Sequence, residues 1–148
     1  MVDELIIDQI EKAIIERLAP LKTQKLRVEG FPDNPDELGK PVVIGQVLVG
    51  YRKDTFSKPT TFVESAPIIQ DWQLSFEISL QLKNLRSHTG AYPIMGKIRN
   101  LLTGYKPAVV QKPLYQTEGG FVSIKDGVWY YSMVFSLNLQ FVKKPWEN

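Results

Sequence analysis

The sequence predicts an α+β protein in which one mainly antiparallel β-sheet has two helices packed on one face. Residues 72–83 alternate apolar and polar side chains without a break, a pattern typical of a strand with one buried and one wet face. Residues 129–141 also carry an apolar side chain at every second position. Residues 3–18 and 91–103 instead repeat their apolar side chains with the helical period. We therefore expect residues 1–148 to form a single two-layered domain.

Composition narrows the class of protein. Hydrophobic residues make up 43% of the chain and charged residues 23%, as in soluble globular proteins. No apolar run approaches the length of a membrane-spanning helix, and Asp3 and Glu4 stand where a secretory signal would be basic, so we expect no membrane association and a cytoplasmic site of synthesis. The absence of cysteine excludes disulfides, thiolate nucleophiles and cysteine-ligated zinc. A net charge of +2 without a basic block disfavours a nucleic-acid-binding domain.

The first third of the chain predicts a helix, a short strand and a loop. In residues 3–18 the apolar side chains share one side of the helix, and Pro20 ends it. A short strand is expected at residues 25–29. Residues 31–41 contain three prolines together with the acidic residues Asp33, Asp36 and Glu37, and we expect a loop without a metal site.

The middle of the chain predicts a central strand followed by a long loop. Residues 42–51 are almost continuously apolar and β-branched, which is typical of a strand buried on both faces, with Gly45 or Gly50 allowing a bulge or a close approach. Residues 52–67 mix polar, aromatic and proline residues, and we expect a loop that becomes ordered against a partner. The alternating strand then runs to about residue 85.

The last third predicts a turn, the second helix and a hairpin. Helix 91–103 has Pro93 in its first turn, where no amide partner is lost, and Gly104 is placed to cap its end. Strands at residues 121–125 and 128–141 flank Asp126 and Gly127, a pair that favours a tight two-residue turn.

Chemistry is sparsely represented in this sequence. His88 is the single histidine and lies in a polar turn, so neither a metal cluster nor a histidine-based catalytic pair is expected. Glu118-Gly119-Gly120 is too short for a phosphate-binding loop and is expected to form a bulge or turn between strands. We therefore predict no catalytic, metal or cofactor-binding residues, no cofactor and no enzymatic activity.

The aromatic residues point to protein contacts. Trp129, Tyr130 and Tyr131 put aromatic rings on both faces of the last strand, which favours core packing on one face and a subunit contact on the other. The predicted loop adds further aromatic and basic side chains. The candidate contact residues are Arg52, Lys53, Phe56, Lys58, Thr61, Phe62, Trp129 and Tyr130.

Three segments, in this order, resemble the Mu-type tail terminator family of contractile-tailed phages and prophages. The first is LKNLR at residues 82–86 followed by GAYP at 90–93, the second is IRNLLTGY at 98–105, and the third is DGVWYY at 126–131. The element order fits the same tail-terminator-like fold, so the resemblance covers most of the chain. None of these segments is chemically specific, and their order and spacing carry the resemblance.

The resemblance implies a structural virion protein. Such a protein forms a homo-oligomeric ring, expected to be a hexamer, at the head-proximal end of the tail tube in the neck of the virion. The ring stops tube polymerisation, contacts the tube protein, with the sheath as a further candidate partner, and joins the tail to the head connector, while DNA passes through the bore without specific binding. Another neck or tail-completion protein is the alternative, and a small ligand-binding domain or enzyme is a more distant one.

Overall fold

The fold is a five-stranded sheet with two α-helices on one face, as the sequence predicts. The computed structural model describes residues 2–32, 45–59, 63–83 and 85–145. The helices are α1 (Val2–Arg17) and α2 (Tyr92–Leu102), and two 3-10 helices cover Ala19–Gln24 and His88–Gly90. The strands are β1 (Leu26–Gly30), β2 (Gly45–Phe56), β3 (Ile68–Lys83), β4 (Tyr115–Lys125) and β5 (Val128–Lys143).

Two long strands form the centre of the sheet. The strand order is β1-β2-β3-β5-β4, with β1 parallel to β2 and every other neighbouring pair antiparallel. β3 and β5 pair over their whole length, from Ile68 opposite Lys143 to Lys83 opposite Val128. At ~3.3 Å per residue these strands of 16 residues are about 53 Å long. β1 and β4 are the edge strands.

The core lies between the helices and one face of the sheet, which we call the inner face. The predicted inward residues of β3, among them Leu74, Phe76 and Ile78, are fully buried, and α1 and α2 contribute side chains such as Ile14 and Ile98. Alternation along the strand and the 3.6-residue period along the helices therefore predicted the buried faces correctly.

Arg17 connects the two helices. Its Nε donates a hydrogen bond of 2.8 Å to the carbonyl of Leu101 in α2, and its guanidinium lies 5.0 Å from the centre of the Tyr105 ring. These two contacts attach the end of α1 to α2 and to the segment that follows it.

The prediction of a loop from residue 52 to residue 67 is wrong at its beginning. β2 does not stop at Tyr51 but continues to Phe56, paired with β3. Arg52 is an extra residue between two paired positions, so it forms a β-bulge that shifts the alternation by one. After the bulge Asp54 and Phe56 face inward, where the earlier parity would have turned them outward. Because the bulge interrupts the alternation of apolar and polar side chains, the sequence pattern predicted a loop where the structure has a strand.

The predicted hairpin is present but longer than expected. Asp126 and Gly127 have φ values of 52° and 77°, as a turn with two left-handed residues requires, and Gly104, at φ 82°, follows the end of α2 as predicted. β4 begins at Tyr115 rather than at residue 121. The segment 118–120 therefore lies inside β4, next to a bulge, and is not a turn between strands.

The buried part of the predicted central strand is confirmed from Gly45 to Gly50, where every residue is buried. A Cβ atom at Gly45 would lie 2.8 Å from both Leu26 Cδ2 and the Gln81 carbonyl, so the predicted close approach is present. Residues 33–44 lie outside the described residues, and they include most of the predicted loop at residues 31–41 and the first three residues of the predicted central strand. Among the described residues, neither α-helix is long and apolar enough to cross a membrane.

Candidate functional site

The aromatic residues Phe56 and Trp129 among the predicted contact residues lie near opposite ends of the sheet. Phe56 pairs with Trp72 near the start of β3, whereas Trp129 pairs with Leu82 near its end. Ten residues of strand separate the two positions, which is about 33 Å at ~3.3 Å per residue. The sequence grouped these side chains in one list, and the structure assigns them to two separate surfaces.

We call the first surface the open end, defined by Phe56, Ile68, Trp72 and Phe141 on the inner face. The Phe56 ring stacks on Trp72 at 5.6 Å between centroids, and Phe141 packs edge-on against both rings at 6.1 and 6.5 Å. Phe56 and Ile68 remain 48% and 43% exposed. Lys58 follows the end of β2 and is exposed. An aromatic cluster with apolar surface in water is typical of a contact site.

The predicted candidates Thr61 and Phe62 lie outside the described residues.

A groove of about 780 Å³ adjoins the open end. Ile6 of α1, Val109 of the segment between α2 and β4, and Trp72 and Leu139 of the sheet supply apolar lining, and Asp71 and Lys112 are among the polar residues. The Trp72 ring is held by a hydrogen bond of 3.1 Å from its Nε1 to Asp54 Oδ2. The groove is large enough to accept side chains from another protein segment.

We call the second surface the hairpin end, formed by residues 117–127. Every one of these residues is exposed, including Phe121, Val122 and Ile124, which are 46%, 61% and 51% accessible. The register shifts twice along β4, between Gln116 and Glu118 and between Phe121 and Ser123. Bulges of this kind disturb an edge strand as a template for a further strand. The apolar side chains are therefore the feature of this end that suits a contact.

His88 packs into an aromatic cluster at the hairpin end. Its ring centroid lies 4.9 Å from Phe121, 5.1 Å from Trp129 and 6.0 Å from Tyr131, and its Nδ1 is 3.0 Å from the Tyr131 hydroxyl. Burial raises the pKa of Tyr131 above its ordinary value of 10.0, and nearby Tyr92 adds to the shift. The neutral hydroxyl is thus available for this bond. His88 is exposed and lies in the predicted polar turn, and its contacts attach that turn to Phe121 of β4 and to β5.

The opposite face of the sheet, the outer face, is crossed by an ion pair. Arg52 of the β2 bulge pairs with Glu118 of β4, and the two strands are separated by β3 and β5. Beneath the pair, Ser75 and Ser136 share a hydroxyl–hydroxyl hydrogen bond of 2.8 Å and are 5% and 1% exposed. The predicted contact residue Arg52 therefore has a partner inside the subunit.

Uncharged hydrogen-bonding groups fill much of the outer face. Gln46 Nε2 donates to Gln81 Oε1 at 2.6 Å, and Tyr130 lies partly buried beside Gln81 in the register of β3 and β5. Lys53 pairs with Ser75 and is exposed. In the described part of the chain, no three histidine or acidic side chains are grouped as a metal site would require.

Sequence reasoning missed several exposed apolar residues. Phe121 and Ile124 were expected in the hairpin but not as contact residues, and Ile68 and Val109 were not selected. A usable signal was present, because Phe121, Val122 and Ile124 crowd apolar side chains beside a surface turn, where polar residues usually stand.

Comparison of the sequence with models of known protein families matches residues 14–147 to the family described as Gp37 protein. The match includes every strand and α2, together with both the open end and the hairpin end. No match was found among curated proteins.

Proposed function

This chain belongs to the Gp37 family of phage-related proteins, and on that premise we propose that it is a structural virion protein, the tail terminator that closes the head-proximal end of the tail tube. The proposal places it in the tail neck after assembly in the host cytoplasm. Its partners are further copies of itself, the tube protein and the head connector, and DNA passes through its bore without specific binding.

The observation that carries the proposal is a sheet longer than its helical cover. At ~1.5 Å per residue α1 spans about 24 Å and α2 about 17 Å, whereas β3 and β5 extend for about 53 Å. Exposed apolar side chains remain at both ends of the sheet, Phe56 and Ile68 at one and Phe121 and Ile124 at the other. Surface of this kind at two separate places favours contacts with more than one neighbour.

Two different surfaces on one chain support a ring. A twofold dimer uses one surface that contacts its own copy, whereas a head-to-tail contact joins two different surfaces and closes into a ring when the rotation allows. A tube end needs a closed cap whose symmetry follows that of the tube. We therefore propose a ring, expected to be a hexamer, that forms in solution or on the tube.

The charge balance supports passage of DNA without tight binding. Eighteen basic and 16 acidic residues give a net charge of +2. Affinity for DNA depends on how many phosphates a protein neutralises, and a chain so close to neutrality has little excess positive charge with which to attract DNA. The uncharged amides and hydroxyls of the outer face fit the same requirement.

The single histidine fits a structural role better than a catalytic one. His88 is exposed, but one of its ring nitrogens is engaged by the Tyr131 hydroxyl and its ring lies against Phe121 and Trp129. A general base usually works with a charged partner that orients it, whereas the partner that the structure shows for His88 is a tyrosine hydroxyl. We accordingly propose that the protein is not an enzyme and acts without a cofactor.

Tube assembly in the presence of the chain tests the proposal. The tube protein of the same phage or prophage is polymerised with and without the purified chain, and tube lengths and gold-labelled chain are scored by electron microscopy. We expect shorter tubes, with label at one end. Label along the wall or no label on tubes would contradict the proposal, and label on isolated connectors alone would favour another neck protein.

Matched variants sharpen this assay. Ile124→Asp places a charge in the apolar surface of the hairpin end, whereas Thr23→Asp adds the same charge at an exposed position of the first 3-10 helix. We expect the first variant to lose capping and the second to retain it, with equal helix and strand content by circular dichroism.

A further inference from the structure

We infer that the hairpin end of one copy seats in the groove beside the open end of the next copy, and that this contact joins the subunits. The inference deepens the proposed ring, on which it rests, by naming the two surfaces that meet. The occupant of the groove is thus a second copy of this chain, which inserts its hairpin end, the turn between β4 and β5 and the residues of β4 next to it.

Shape is the first argument. The groove is an open concavity of about 780 Å³, and every residue of the hairpin end, from 117 to 127, is exposed. β3 pairs with β5 as far as Lys83 opposite Val128, so the tight turn at Asp126 and Gly127 forms the narrow tip beyond the sheet. An exposed edge hairpin and an open groove at opposite ends of one sheet give each copy one of each surface, as a head-to-tail contact requires.

Chemistry of the apolar surfaces is the second argument. The hairpin end offers Phe121 and Ile124 on the inner face, with Val122 at the bulge between them. The groove offers Ile6, Val109 and Leu139. Burying exposed aliphatic and aromatic side chains against such a lining removes apolar area from water on both partners.

Charge is the third argument. Lys125 and Asp126 lie at the tip of the hairpin end, and Asp71 and Lys112 are among the residues that line the groove. One cation and one anion on each side allow two opposite-charge pairs across the contact. Charge complementarity of this kind fixes the register of two surfaces more than it adds affinity.

Addition of a strand to the edge of β4 is the competing mode of contact, and the geometry disfavours it. The two register shifts in β4, at Thr117 and Val122, interrupt the row of edge amides and carbonyls. A continuous edge is what strand addition requires. Side-chain insertion needs no continuous edge, and the bulge at Val122 does not impede it.

Disulfide trapping tests the contact, because the chain contains no cysteine. Ile124→Cys and Val109→Cys are introduced separately, at positions that are 51% and 40% exposed, and the two variants are mixed and oxidised. We expect a disulfide-linked dimer from the mixture. A variant that carries both cysteines on one chain should give a ladder of linked oligomers up to the size of the ring. The control pairs Val109→Cys with Lys22→Cys, an exposed position next to the opposite edge strand β1.

A cross-link requires Cα atoms within about 7 Å, so the test pair should give roughly tenfold more product than the control pair. A charge exchange adds a second readout. In the double-cysteine variant, in which every chain carries both surfaces, Asp71→Lys should lower the cross-linking yield several-fold, and the further change Lys125→Glu should restore it. A yield that is not restored would contradict the inferred contact in this register.

The outcomes separate the contact from the proposed function. Absence of the ladder both in concentrated solution and on capped tubes overturns the inference while the terminator role stands. A ladder with tubes that remain uncapped leaves the contact in place and overturns the terminator role. Cross-links formed only between two copies of Ile124→Cys would show a symmetric contact and also overturn the inference.

Discussion

Replacement of Phe76 by alanine tests the assignment of the inner face. The Phe76 side chain is fully buried in the middle of β3, between Tyr51 of β2 and Phe135 of β5 in the register, and its ring lies 6.4 Å from that of Tyr51 in an edge contact. Truncation removes a buried ring and leaves a cavity that close-packed neighbours fill only in part. We expect a loss of about 3–5 kcal/mol in the free energy of unfolding.

The loss is measurable by two independent methods. For a domain of this size each kcal/mol lowers the melting temperature by about 2–4 °C, so Tm should fall by about 6–20 °C. Urea unfolding followed by tryptophan fluorescence gives the free energy directly, at two protein concentrations because subunit contacts would add to apparent stability. Lys83→Ala, at an exposed position of the same strand, is the control and should stay within about 0.5 kcal/mol.

A Phe76→Ala variant that loses less than about 0.5 kcal/mol would refute the reasoning. It would mean that alternation along β3 does not decide which side chains the helices cover, and the inner and outer faces would have to be exchanged. The same result would remove the physical basis for the two contact candidates, since the open end and the Phe121 and Ile124 side chains of the hairpin end were assigned to the inner face.

Three further predictions concern polar side chains. Arg52→Ala and Glu118→Ala should show a coupling energy of about 0.2–1 kcal/mol in a double-mutant cycle. The coupling energy should be smaller in high salt because both side chains are partly exposed, and its absence at low salt would refute the ion pair on the outer face. His88→Ala should cost about 0.5–1.5 kcal/mol in urea unfolding because the part-buried Tyr131 hydroxyl loses its hydrogen-bond partner, and Tyr131→Phe in that background should recover part of the loss. Burial, and to a smaller extent the Asp8 carboxylate, raise the pKa of Glu11 above its ordinary value of 4.5. Protonation of Glu11 therefore favours the folded state, and stability is lost as the pH rises from the pKa in the unfolded chain through the higher pKa in the folded one. Glu11→Gln should therefore gain stability relative to the natural chain at pH 8 but not at pH 4, and equal differences at both pH values would contradict this.

Local patterns in the sequence were enough to determine the two helices and the inner faces of the long strands. Ile14 and Ile98 were placed in the core by the helical period, and Leu74 by strict alternation. These patterns are reliable because burial of one face imposes the same period on the chain that the backbone geometry imposes on the side chains. The Asp126-Gly127 turn was predictable for a similar reason, since both residues tolerate the left-handed backbone that it needs.

Other features depended on strand pairing and on what covers each surface. The Arg52 bulge exists because β2 must stay in register with β3, and one extra residue hid Phe56 from any periodic signal. His88 is linked to Tyr131 only because the turn before α2 comes to rest on β5. The exposure of Ile124 depends on how far the helices extend over the sheet. Pairing and coverage are decided by residues distant in sequence, so only the tertiary structure determined which apolar side chains stay exposed.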